Sequence, residues 1–331
     1  MKIDLKSCPP EVFISGIGLI AMLLISIGFD LPIVMPASTQ AKFLGLYFIY
    51  PMVGVVLIGL PMIFLGKRKV AARFLIGLPC YTIALFVYFN VKLWIPHLNS
   101  HNFDGFYWKI DEFSMPLIYL CMAIRRGLLP VIPYEANFYL SSYMMLFYIS
   151  FLYHAIRTPE QFGKLIVAVI LLQLLSIVGY VGTPAVGPFI FQNGLNPIIS
   201  QGQHQMLNFY FHSLSGGGKW IASQGGANFT AGLAAMPSLH AGGAFLFFMF
   251  ARKHGKVLVP PYAFILFYIL VTAIASRWHY VIDIPVGMGL AWFSYTLADR
   301  LSPAGVRDAA IAARGKAEQG FGYPAPVPAL T

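Results

Sequence analysis

His279 and Asp283 stand four residues apart, a spacing that predicts both side chains on one helical face and in contact range. A carboxylate bonded to one imidazole nitrogen fixes the tautomer and leaves the other nitrogen free to attack. His240 lies 39 residues earlier, and Ser238 precedes it by two. If the two segments are neighbours, the imidazoles can flank one phosphorus, one attacking and the other protonating the leaving oxygen. Ser238, at the start of an expected helix, adds a hydroxyl and free backbone N–H groups, a natural anion site. Arg277 offers a planar fork to the phosphate oxygens, whose charge a phosphoryl-transfer site must stabilise. With no His-Glu-x-x-His motif and no acidic cluster, the pattern favours a covalent route with no metal and no cofactor. Each residue alone has a plainer reading. Ser238 could simply cap a helix. Arg277 could snorkel to headgroups, and His279 with Asp283 could form a structural hydrogen bond inside a bundle. The remaining histidines read as interfacial anchors.

The elements that would position these groups are membrane helices. The chain has 331 residues, 58% hydrophobic and 10% charged, against about 25% charged in soluble domains. That balance points to an integral membrane protein. The net charge of +10 does not point to nucleic acid, because the basic residues cluster in short stretches beside apolar segments. They read as topology signals and contacts to anionic lipid. Cys8, Cys80 and Cys121 form no disulfide framework and no zinc site. The first apolar run lacks a small-residue cleavage site and is read as a retained helix.

Eight spans are expected, at roughly 12–35, 42–66, 72–95, 137–156, 162–183, 238–252, 257–277 and 281–299. The fold class is therefore all-α, a polytopic transmembrane bundle. With the N-terminus inside, the basic clusters around Lys67–Arg73, Arg157–Lys164, Arg252–Lys256 and Arg300–Lys316 all become cytoplasmic. Both chemical motifs then face the opposite side, periplasmic, extracellular or lumenal. The chain divides into a three-helix segment (1–95), an outer loop (96–136), a catalytic helical core (137–300) and a flexible cytoplasmic tail (301–331). Within the outer loop, Pro116–Pro133 is apolar but interrupted by Arg125-Arg126, which favours an interfacial helix over a re-entrant one. The long outer stretch 184–237 is rich in Gly and polar residues, as functional lids often are; its Gly-rich run lacks a P-loop ending and reads as a flexible linker.

At Pro237-Ser238-Leu239-His240 and His279-Tyr280-Val281-Ile282-Asp283 the chain resembles the type 2 phosphatidic acid phosphatase (PAP2) superfamily. The first stretch matches that family's Pro-Ser-Gly-His motif with Leu for Gly. The second, followed by Gly287, matches the end of its Ser-Arg…His-x-x-x-Asp motif. The wording looks most like the branch containing inositol phosphorylceramide synthases, and the resemblance covers roughly 137–300. It implies an antiparallel helical bundle with His279 as the phosphorylated nucleophile and His240 as acid/base. It further implies that Asp283 orients His279 and that Ser238 helps to hold phosphate. Two departures stand out. The family's first motif, Lys…Arg-Pro, is missing in its usual form: no Arg-Pro dipeptide occurs, and the nearest counterpart by position, Thr183–Pro188, brings no cation. Arg277 lies closer to His279 than the family arginine does. Arg277, Lys219, Arg125 and Arg126 are the candidates for the missing positive charge.

The expected activity moves a phosphoryl-containing group of a phospholipid or lipid phosphate to water, or to a lipid or polar alcohol. The Leu in the second motif and the branch resemblance lean toward transfer. Two other readings stay open: a transporter of an anionic or polyprenyl-phosphate lipid, and an inactive relative that only binds lipid.

Overall fold

A computed structural model describes residues 9–36, 68–229 and 235–302, with Leu57, Pro61 and Phe64 between the first two stretches. Most of the second expected span (42–66) and the expected tail beyond residue 302 lie outside the described residues. The described residues form α-helices and short 3-10 turns, and no strand occurs among them. The helices are α1 (Pro10–Gly28), α2 (Arg68–Leu98), α3 (Asp104–Phe113), α4 (Met115–Leu128) and α5 (Phe138–Arg157). They continue with α6 (Pro159–Gly182), α7 (Pro197–Gln224), α8 (Leu239–His254), α9 (Val259–Ala275) and α10 (Asp283–Leu301). Among the described residues, four stretches are long and apolar enough to cross a bilayer: Pro10–Gly28, Phe74–Leu98, Pro159–Gly182 and Lys256–Ala275.

Helix α6 is the axis of the bundle. It is apolar all round, begins with Pro159 at its first position, where a missing N–H costs nothing, and packs against α1, α2, α5, α8 and α10. Leu165, Val167 and Ile170 are fully buried along it. Helix α1 is the opposite case, exposing Ile17, Ile20, Leu24 and Ile27 on its outer face. Exposed apolar side chains in such a continuous stripe suit lipid as solvent.

Helices α8 and α10 cross unusually closely, and two glycines permit it. A Cβ on Gly287 would fall 2.2 Å from the Ser238 carbonyl oxygen, and one on Gly242 would fall 2.6 Å from the Gly287 carbonyl oxygen. The Ser238 N–H donates to the Asp283 carbonyl at 3.1 Å, tying the two helix starts together. The ends of α2 and α6 join the same end of the bundle. Asn99 Nδ2 donates to the Val181 carbonyl at 2.8 Å, and the Ala235 N–H donates to the Ala185 carbonyl at 2.9 Å. Arg157, Arg252 and Lys253 stand at the other ends of α5 and α8. There Lys164 pairs with Asp299 and rests 3.8 Å above the Tyr295 ring.

The expected linker 184–237 is largely helical. Its glycine run falls inside α7, interrupted at Gly217 by a left-handed φ of 64°. Met206, Phe209 and Ile221 on either side of that run are buried against Trp94 and Met22, which outweighs the weak helix propensity of glycine. The stretch 96–136 carries α3 and α4. Helix α4 buries Ile118, Cys121, Met122 and Arg125 and packs along α9, while Leu117, Tyr119 and Leu120 face outward.

Candidate active site

His279 sits in a turn between α9 and α10, not on a helix, and Asp283 is the first residue of α10. The expected helical face is therefore corrected to a turn. Four-residue spacing closes a tight turn as readily as it stacks one helical face, and the contact survives the change. His279 Nδ1 lies 3.2 Å from Asp283 Oδ2 and 2.9 Å from the Ala235 carbonyl oxygen. Asp283 Oδ2 also accepts the Tyr280 N–H at 2.9 Å. Two acceptors around Nδ1 assign the proton there from the hydrogen-bond network. The lone pair is then on Nε2.

His240 lies in the first turn of α8, next to the helix cap. Ser238 is that cap: its Oγ accepts the Ala241 N–H at 3.4 Å, and its side chain is fully buried. The plainer expectation for Ser238 thus describes its contacts. The His240 ring lies against Tyr139 and Tyr143, with centroids 5.1 and 4.6 Å away. His240 and His279 border one cavity of about 470 Å³. One part of its wall is apolar, built from Leu85, Phe89, Leu140, Met144 and Phe147. The two imidazoles, Lys92, Asn137 and Gln173 also line it.

The cations expected at the phosphate lie elsewhere. Arg277 is fully buried, and its Nη2 donates to Asp111 Oδ2 at 2.7 Å. Its backbone holds a φ of 60°, a left-handed conformation that costs a non-glycine residue about 1–3 kcal/mol. The Asp111 carboxylate holds that turn twice, since Oδ1 also accepts the Val281 N–H at 2.9 Å. Lys219 is exposed on α7 and does not line the cavity. Arg125 is buried, donating to the Ile132 carbonyl at 3.0 Å and stacking 4.1 Å from the Tyr134 ring. Arg126 borders a separate cavity with Gln192 and Asn193.

Three further residues emerge from the structure. Asp104 and Asp111 lie seven residues apart on α3, so both face the same side of it. Asp104 Oδ2 accepts the Val186 N–H at 2.8 Å, and its Oδ1 accepts the Gly187 N–H at 2.9 Å and the Tyr280 hydroxyl at 2.6 Å. Burial first, then the Asp104 carboxylate, push the Tyr280 pKa up, so its hydroxyl stays protonated and donates. At the position of the absent Arg-Pro motif there is thus a backbone loop held by a carboxylate. The third residue is Lys92, a basic side chain inside the third expected span. An ionisable residue at such a depth marks a functional site by default, and that signal was present in the sequence.

A family model described as the PAP2 superfamily matches residues 130–297. No curated protein and no solved structure matches the chain.

Proposed function

Because this chain belongs to the PAP2 superfamily, we propose that it transfers the phosphoryl-containing group of a lipid through a phospho-histidine, to water or to an alcohol. Membership supports the coarser part, a phosphatase-type function on a lipid phosphate in a membrane, and it does not favour transport. The observation that carries the finer part is the single cavity shared by His240, His279 and an apolar wall. A lipid needs that combination, a wet end for phosphate and a greasy end for its tail.

In the first step His279 Nε2 attacks phosphorus, the N–P bond forms and the P–O bond to the leaving group breaks. His240 gives its proton to the departing oxygen. In the second step His240 takes the proton of the incoming water or alcohol. The new P–O bond forms as the N–P bond breaks, and His279 is restored. Asp283 holds the Nδ1 proton throughout and stabilises the ring as it gains positive charge. Water and alcohol differ only in access to the phospho-enzyme, and a dry, apolar wall disfavours water. The branch resemblance to inositol phosphorylceramide synthases leans the same way, toward transfer.

We read the bundle as eight crossings with the site at the non-cytoplasmic face. The supporting placement is that Arg157, Arg252, Lys253 and Arg300 lie at the helix ends remote from His240 and His279. Helix α4, with its exposed Leu117, Tyr119 and Leu120, suits the membrane interface on the site's side. The test is to incubate the purified protein with a panel of phospholipids and lipid phosphates and resolve the products by mass. Free phosphate from a lipid phosphate, or a free phospho-headgroup from a phospholipid, indicates hydrolysis, and a new phosphate ester of the acceptor alcohol indicates transfer. His279→Ala abolishes either product, with a loss on the order of 10⁴-fold. An equally active variant removes His279 from the chemistry.

A further inference from the structure

Lys92 is the one cation that borders the cavity shared by His240 and His279, among the described residues. Its helix, α2, lies upstream of residues 130–297, the part of the chain that matches the family. The ammonium has neutral partners. Nζ donates to the Tyr88 hydroxyl at 3.2 Å and lies 5.4 and 5.5 Å from the Tyr88 and Tyr180 ring centroids. Among the described residues it pairs with no carboxylate, whereas buried Arg277 has Asp111 and buried Lys164 has Asp299. Arg125, the other buried cation without a carboxylate, is held by a carbonyl and an aromatic ring away from this cavity.

A half-buried ammonium in a largely apolar cavity is costly unless an anion joins it. With two imidazoles lining the same cavity, a tetrahedral phosphate is an anion that fits all three groups. Tyr88 stands one helical turn before Lys92, and its hydroxyl and ring hold the ammonium at the cavity lining.

We propose that Lys92 is the phosphate-binding cation of this site, supplied by a helix outside the family-matched region in place of the absent Arg-Pro motif. The proposal rests on the phosphoryl-transfer reading above. Lys92 would donate to the non-bridging oxygens and neutralise their charge as the phosphorus becomes five-coordinate. The upstream helices are then part of the active site, and residues 130–297 alone do not complete it.

The test uses full-length protein in detergent: wild type, Lys92→Met, Lys92→Arg and His279→Ala. Orthovanadate serves as the probe of the phosphate site, and a lipid-phosphate panel serves for turnover. Lys92→Met should lower turnover about 100-fold or more and lose the vanadate-induced rise in melting temperature. Without anion its melting temperature should equal or exceed that of wild type, since an uncompensated charge is gone. Lys92→Arg should keep the vanadate response. A Lys92→Met protein that keeps both the vanadate response and turnover within about threefold of wild type, a change too small for a lost charge-assisted contact, overturns the proposal. If Lys92→Met does not fold, a Lys92→Arg protein unresponsive to any vanadate concentration overturns it as well. An inactive wild type or a fully active His279→Ala overturns the phosphoryl-transfer reading instead. The vanadate response then decides Lys92 independently.

Discussion

The family-matched stretch, 130–297, and the helices just upstream of it divide the work differently. The matched stretch holds the groups proposed to make and break bonds, His240, His279 and Asp283, and fixes them by main-chain contact between α8 and α10. The upstream helices hold charge. Asp104 and Asp111 on α3 grip both sides of the turn that carries His279, and Lys92 on α2 faces the cavity. Reactive groups can thus be matched to a family while the charges that hold them upright come from outside it.

The sharpest way to break this division is Asp111→Asn. It leaves the buried Arg277 guanidinium without a counter-charge, and the expected cost is about 3–5 kcal/mol of stability. Turnover falls with it, because the turn around His279 loses its brace. Thermal unfolding in detergent and lipid-phosphate turnover read the two effects. A change below about 0.5 kcal/mol, typical of exposed pairs, would mean that α3 merely sits beside the site.

Gly287→Ala tests the matched region on its own terms. The added methyl meets the Ser238 carbonyl, so α8 and α10 must separate. Overpacking of this kind costs about 1–3 kcal/mol, and turnover should drop more than stability alone explains. Wild-type kinetics would show that the crossing does not set the imidazole positions.

Asp299→Asn is the control at the opposite end of the bundle. Lys164 loses its partner, at an expected cost of about 1–2 kcal/mol, between the values for exposed and buried pairs. The turnover number of the folded fraction stays unchanged. The smallest effect on stability is expected of Met144→Trp in the apolar wall. The larger side chain shortens the cavity, and the preference among lipid phosphates should move toward shorter tails, read as a ratio of kcat/KM across chain lengths.

Much of this was legible in the sequence. Composition and apolar run lengths give an all-helical membrane chain, and the two motifs give His240, His279 and Asp283, which do border or brace one cavity. What was not legible has physical causes. The spacing of His279 and Asp283 fits a helix and a tight turn alike, and the Arg277 backbone conformation that makes the turn has no sequence signature. The partner of Arg277 lies 166 residues away, so a guanidinium beside the reactive histidine read as free for phosphate. Lys92 lies inside an apolar run long enough to span, and run length alone gives no weight to its charge. The glycines of α7 read as a linker because the apolar residues that anchor it dock on helices distant in sequence.

One feature of the bundle reaches further than the chemistry. Because the contact at Gly287 is with the Ser238 main chain, the close approach of the two helix starts is set there by backbone and not by a large side chain. Leu85, Met144 and Phe147 in the cavity wall carry no such duty. A change of size at Leu85 or Met144 would refit the cavity to a lipid of another length while the crossing of α8 and α10 stands still.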